Sequence, residues 1–212
     1  MSSVKKVVAT GGALLVAFQA QGAMVGLEPV SFNSETNAQI ASSQIGFDFL
    51  DLGVDAVTGL SGFEITITND GDEDSSVTMV MFDSDIIASI NEMDSDFDGV
   101  DFGFTNKKVL PGGKPFGFDP TAGLSLRANA PVRPNGVDQG ESLVLSISLR
   151  DGYSWSDLVN GILDGSTRLG IHVQGFADGG SETFVNEKVL IPSPGALGLL
   201  SLAGIASARR RR

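Results

Sequence analysis

Ser142-Leu143-Val144-Leu145-Ser146-Ile147-Ser148-Leu149-Arg150 decides the fold class. Leu143, Leu145, Ile147 and Leu149 alternate with Val144, Ser146, Ser148 and Arg150, the period of two that marks a half-buried strand. Downstream, Leu169, Ile171 and Val173 alternate with Arg168, His172 and Gln174, a second strand of the same kind. Between the two, Trp155, Leu158, Val159, Ile162 and Leu163 follow helical spacing. Ser154 with Asp157 three residues on resembles a capping box, and Gly165 supplies a stop, so one helix is expected there.

Upstream, Phe63, Ile65 and Ile67 alternate with Glu64, Thr66 and Thr68. Asn69-Asp70-Gly71 is a strong turn signal, and Ser76 to Phe82 is rich in strand formers. Residues 60–83 are therefore expected to form a hairpin with an acidic tip. Shorter strands are expected at 27–33, 45–52, 86–91, 100–104, 122–127 and 183–190. Residues 105–141 hold Pro111, Pro115, Pro120, Pro131 and Pro134 with several glycines. That stretch reads as a long irregular segment wrapping the domain. Many short strands with Gly and Pro turns predict a mainly β protein: one β-sandwich or jelly-roll-like domain over 24–190 with one short helix.

The chain has 212 residues and no cysteine, so it has neither a disulfide framework nor a thiolate site. His172 is the single histidine, and no G-x-S-x-G elbow accompanies it, so a catalytic triad is not expected. On its strand face it reads as a surface polar residue. All 26 acidic residues lie between 24 and 190 with eight basic ones, giving that region −18. Such a surface repels nucleic acid and anionic lipid.

Asp94, Asp96 and Asp98 followed by Gly99, with Asp101 close behind, match the opening of a calcium loop. Alternate carboxylates before a glycine turn can wrap a hard cation that takes six to eight oxygens. The twelfth loop position, where an EF-hand needs a bidentate Glu, is Thr105, and the flanks read as strands. Ca²⁺ is the one cofactor the sequence suggests; otherwise none is expected.

The ends have the opposite charge. Residues 1–23 contain Lys5 and Lys6, then a mostly apolar run from Val7 to Phe18, then Ala20-Gln21-Gly22-Ala23. These are the three parts of a secretory signal peptide, with cleavage expected after Gly22 or Ala23. Export by the Sec machinery and removal by signal peptidase follow. Residues 191–212 contain Pro192-Ser193-Pro194, fourteen uncharged residues from Gly195 to Ala208, and Arg209, Arg210, Arg211 and Arg212. A helix after the prolines would be ~21 Å long, short for a ~30 Å hydrocarbon core. The arginines would hold it on the cytoplasmic side.

Pro-x-Pro, a short apolar helix and a terminal Arg cluster resemble the PEP-CTERM sorting signal of Gram-negative bacteria. The same segment is also catalogued as an ice-binding protein C-terminal domain, a name that does not imply ice binding. The family's usual residue between the prolines is Glu; here it is Ser193. Variants with Ser there also belong to the wider family. The resemblance covers about residues 190–212. It implies transient inner-membrane anchoring by the C-terminal helix and cleavage near the prolines by an exosortase. The body would then move to the cell surface or extracellular matrix. The expected function is that of a non-enzymatic surface or matrix protein, with exopolysaccharide or envelope components as partners. A calcium-assisted glycan-binding module is the second reading, favoured by an exposed Phe cluster near Asp94–Asp101. A secreted hydrolase is the third, favoured by two carboxylates facing across a cleft.

Overall fold

The computed structural model describes residues 26–186. The strands are β1 (Leu27–Pro29), β2 (Ile45–Val54), β3 (Ser61–Asn69), β4 (Ser76–Ser84), β5 (Ile87–Asp94), β6 (Phe102–Phe104), β7 (Ser125–Ala128), β8 (Ser142–Leu149), β9 (Thr167–Gln174) and β10 (Ser181–Asn186). Helix α1 (Glu35–Gln44) precedes β2, and helix α2 (Trp155–Asp164) lies between β8 and β9. One sheet has the order β1-β10-β9-β4-β7-β6 and the other β2-β3-β8-β5; every pairing is antiparallel. The described residues are thus mainly β, as the alternation predicts.

The inner faces make the core. Phe63, Ile65 and Ile67 of β3 and Leu143, Leu145, Ile147 and Leu149 of β8 are all buried, in one cluster with Val80, Phe82, Ile171, Val173 and Phe184 of the larger sheet. Alternate residues of β3 and β8 are only half-buried, so the outer face of the smaller sheet meets water. β4 and β9 differ: nearly every residue in them is buried, on both faces. The reason is the segment between β6 and β7. Leu110 and Phe118 fold back onto the outer face of the larger sheet and join Val30, Met79, Met81 and Val185 in a second apolar cluster. A Cβ on Gly170 would lie 2.5 Å from Leu110 Cδ2 and 2.8 Å from Phe118 Cζ, so the bare glycine makes room for this cover. Gly112, at φ +72, abuts the Val30 carbonyl at the far side of the sheet. The irregular segment does wrap the sandwich.

The expected hairpin at 60–83 is not formed. β3 pairs with β2 and β8, whereas β4 pairs with β7 and β9, so the chain crosses between sheets at residues 70–75. The crossing is held from inside. Asn69 is fully buried, and its Nδ2 donates to the Ser75 carbonyl at 3.0 Å and the Val137 carbonyl at 3.2 Å. A turn signal fixes a reversal of the chain and not the sheet into which the chain returns.

A second helix, α1, corrects the expectation of one. Its sequence, Glu-Thr-Asn-Ala-Gln-Ile-Ala-Ser-Ser-Gln, has no apolar stripe. Its ends are held instead. Ser34 caps the N-terminus and accepts from Asn37 N, while the buried Glu182 carboxylate accepts from Ser34 N. α2 forms where expected: both bonds of the Ser154–Asp157 capping box are present, and Gly165 ends it at φ 77. It packs against β9 and β3, filling the seam between the sheets with Leu158 and Ile162.

Candidate functional site

The Asp94–Asp101 loop joins strands β5 and β6, as its flanks suggest. Its organiser is a serine. Ser95 Oγ donates to the Ser142 carbonyl at 2.7 Å and accepts from Phe97 N at 3.1 Å. Asp94 Oδ1 accepts from Ser95 N, and Asp101 Oδ1 accepts from Asn129 Nδ2 at 2.9 Å. Asp94, Asp96, Asp98 and Asp101 are exposed. Among the described residues, no three acidic or imidazole side chains converge as a group able to hold a metal ion. Phe97 is exposed in this loop, but the surface ring pair, Phe32 with Phe116 at 5.8 Å, belongs to the cover.

His172 is not the surface residue that its strand face suggests. It is buried at 8 % exposure on the outer face of the larger sheet, in a cross-strand row with Arg127, Met79 and Thr183. Its Nδ1 lies 2.8 Å from Thr183 Oγ1, and its Nε2 lies 3.0 Å from Gln174 Nε2. An amide nitrogen only donates, so Nε2 accepts and Nδ1 carries the proton toward the threonine. Burial lowers the imidazole pKa, and the positive charges of Arg127 and Lys107 lower it further. The ring is a neutral structural link whose two nitrogens are both engaged.

The sandwich interior offers little room. A water-sized crevice under α2 is lined mainly by Phe49, Phe63, Ile65, Leu158 and Ile162, and its wall is almost wholly apolar. Asn186 also borders it, with a buried Nδ2 that has no partner among the described residues. Ligand pockets are typically ~300–1,000 Å³ with convergent polar groups. This crevice has neither the size nor two facing carboxylates.

Two surface features of the described residues stand out. The first is the cover. From Phe102 to Phe118 there is no acidic residue, in a chain with 26 of them. Within that stretch Lys107, Lys108 and Lys114 are exposed, and they are all the lysines of the described residues. Arg127 and Arg168 lie on the same face; Arg168 Nη1 donates to the Phe116 carbonyl and the guanidinium stands over the Phe118 ring. Beside it Phe32 is 68 % exposed and sits at φ 52, a left-handed conformation that costs a bulky residue of order 1–3 kcal/mol. The sequence shows the basic spacing but not the arrival of Phe32, which comes from 70 residues or more upstream of these lysines.

The second feature is the far end of β2 and β3. Residues 50–59 are all exposed, and Leu50, Leu52, Val54 and Val57 present apolar side chains there. The tip is tied by hydrogen bonds: Asp55 Oδ1 accepts from Thr58 N at 2.7 Å, Thr58 Oγ1 at 2.9 Å and Val57 N at 3.0 Å, which lowers the Asp55 pKa. β2 is also the edge of its sheet.

The sequence-derived sorting and cleavage residues, Gly22, Ala23, Pro192, Ser193, Pro194 and Arg209 to Arg212, lie outside the described residues. Among the described residues no helix is long and apolar enough to cross a membrane. No protein-family model matches the chain, and no curated protein matches it. The likeness of residues 190–212 to a sorting signal therefore rests on those residues themselves.

Proposed function

We propose that the chain is a non-enzymatic cell-surface or extracellular-matrix protein, exported by a cleaved N-terminal signal and sorted by an exosortase at its C-terminal signal. The observation that carries this reading is the run Pro192-Ser193-Pro194, fourteen uncharged residues and four arginines. Lys5 and Lys6 before an apolar run of 12 residues support it from the other end. By the positive-inside rule both basic ends stay in the cytoplasm while the −18 body crosses. The folded body agrees with such a role. Its single histidine is used in the sheet, with both ring nitrogens engaged.

Intact mass of the mature protein, measured with cell fractionation, tests both cleavages at once. The expected product begins at Ala23 or Met24, ends near Pro194 and leaves the inner membrane. Changing Arg209–Arg212 to Ser should abolish that product. An unchanged mass and location would overturn the sorting reading. A reporter inserted at Asp72 should be active only outside the cytoplasm.

A further inference from the structure

We propose that copies of this chain associate with one another by seating the β2–β3 arm of one copy on the basic cover of the next. This inference holds whether or not the chain is exported. It rests on two unlike patches that complement each other in both charge and apolarity. The cover presents Lys107, Lys108 and Lys114 with Phe32, Val109 and the half-buried Phe116. The arm presents Leu50, Leu52, Val54 and Val57 interleaved with the exposed carboxylates Asp48, Asp51 and Asp55. Of the nine large apolar side chains that stand exposed among the described residues, six belong to these two patches. Exposed apolar groups rimmed by charge are the ordinary mark of an interaction surface.

The two patches cannot satisfy each other within one molecule as it is folded. The cover lies on the face of the larger sheet that points away from the smaller sheet, and the arm belongs to the smaller sheet. Both are already in a set shape. The Asx turn at Asp55 fixes the arm, whose Val57 is 93 % exposed, and the Phe116 ring buttresses Phe32 in its left-handed conformation. Little ordering is lost on contact, which favours affinity. Charge complementarity selects the partner: a body at −18 repels its like except where one copy's cationic face meets another's acidic arm. A contact between unlike patches is heterologous, so it builds rings or open chains of copies.

The test is sedimentation of the full chain in its purified exported or detergent-held form. At low salt the mean mass should rise with protein concentration, and it should fall back to the monomer in about 1 M salt, where the screening length is ~3 Å. Two charge-swapped variants decide the surfaces. Lys107→Glu/Lys108→Glu/Lys114→Glu alters the cover, and Asp48→Lys/Asp51→Lys alters the arm while leaving the Asp55 turn in place. Each should weaken self-association at least ~100-fold, because like charges then meet. Mixed, the two variants should associate again, since each restores opposite charge to the other. Unaltered circular dichroism shows that each is folded; Lys107→Glu/Lys108→Glu alone, with the arm variant Asp48→Lys alone, gives a milder pair should either of these unfold. A monomer at every concentration and salt overturns the proposal. So does association that survives both variants, or a mixture that stays monomeric. Retention of the cover on an anionic polysaccharide without self-association would overturn it too, and would give the face to a glycan.

Discussion

Gln44 Nε2 lies 3.0 Å from Asn69 Oδ1, joining the last residue of α1 to the last residue of β3 inside the protein. The same Gln44 nitrogen reaches the Glu73 carbonyl and Ser75 Oγ. A Cβ on Gly71 would overlap the Gln44 side chain, so the acidic turn folds over this amide with nothing to spare. The helix end, the strand end and the crossing between sheets thus share one polar node.

Asn69→Ala should be costly for that reason. It removes the Nδ2 donor from two carbonyls and the Oδ1 acceptor from Gln44, all in a buried place. Unsatisfied buried groups cost about 1–3 kcal/mol each, partly relieved by water, so a loss of about 3 kcal/mol is expected. Urea unfolding should show a lower midpoint at unchanged slope. Asp70→Ala, in the exposed part of the same turn, is the control and should change little.

Acid should weaken the fold through His172. Its folded pKa is lowered from the ordinary 6.5, first by burial and then by Arg127 and Lys107. The unfolded chain therefore binds a proton where the folded one does not. The stabilisation is present in full above about pH 6.5 and is lost as pH falls from there toward the lowered value, at no more than about 1.4 kcal/mol per pH unit. Asp55, Asp157 and Asp178 also have lowered values, but their ordinary pKa is 3.8, so they act in more acidic solution. Unfolding midpoints from pH 7 to 5 should slope downward in the native protein, and His172→Gln should flatten that slope.

The cover should lift when Gly170 gains a side chain. The added methyl of Gly170→Ala would press on Leu110 and Phe118, and overpacking of this kind costs about 1–3 kcal/mol. Limited proteolysis reads the effect directly: cleavage after Lys107, Lys108 or Lys114 should quicken in the variant, with the core strands still protected.

Calcium and magnesium should raise the unfolding temperature equally. The carboxylates of the Asp94–Asp101 loop do not converge with one another, so both ions act on the acidic body by screening. A specific site would add stability that grows with free calcium as RT ln(1 + [L]/Kd), which magnesium would not match and Asp96→Ala would remove.

Strand β8 and helix α2 were legible because their signals are local. An alternating run fixes a strand, and Ser154, Asp157 and Gly165 fix both ends of a helix within a dozen residues. Helix α1 was not legible because Glu182, some 150 residues away, holds its start and Gln44 anchors its end at the Asn69 node. The crossing at 70–75 escaped for a related reason: β4 reads as strand in either sheet, and its neighbours β7 and β9 decide which. His172 read as a surface residue because alternation assigns a face without saying what lies on it; Leu110 and Phe118 cover that face from a loop with no periodicity. In the acidic loop the spacing suits a metal, while among the described residues no three acidic side chains converge there.

β1 lies beside β10, with Leu27 opposite Asn186. The first strand of the body to emerge from any channel thus waits for the last. β9, which joins β10 to β4 at the middle of the larger sheet, is also late in the chain. The larger sheet cannot close until residue 186 is through, so a chain moved from its N-terminus stays open and threadable for nearly the whole passage. Contacts this distant in sequence also fold slowly. When the sheet does close, the chain's entry at Gly26 and its exit at Asn186 are left side by side on one edge, so a pull on both would act on that edge and not across the body.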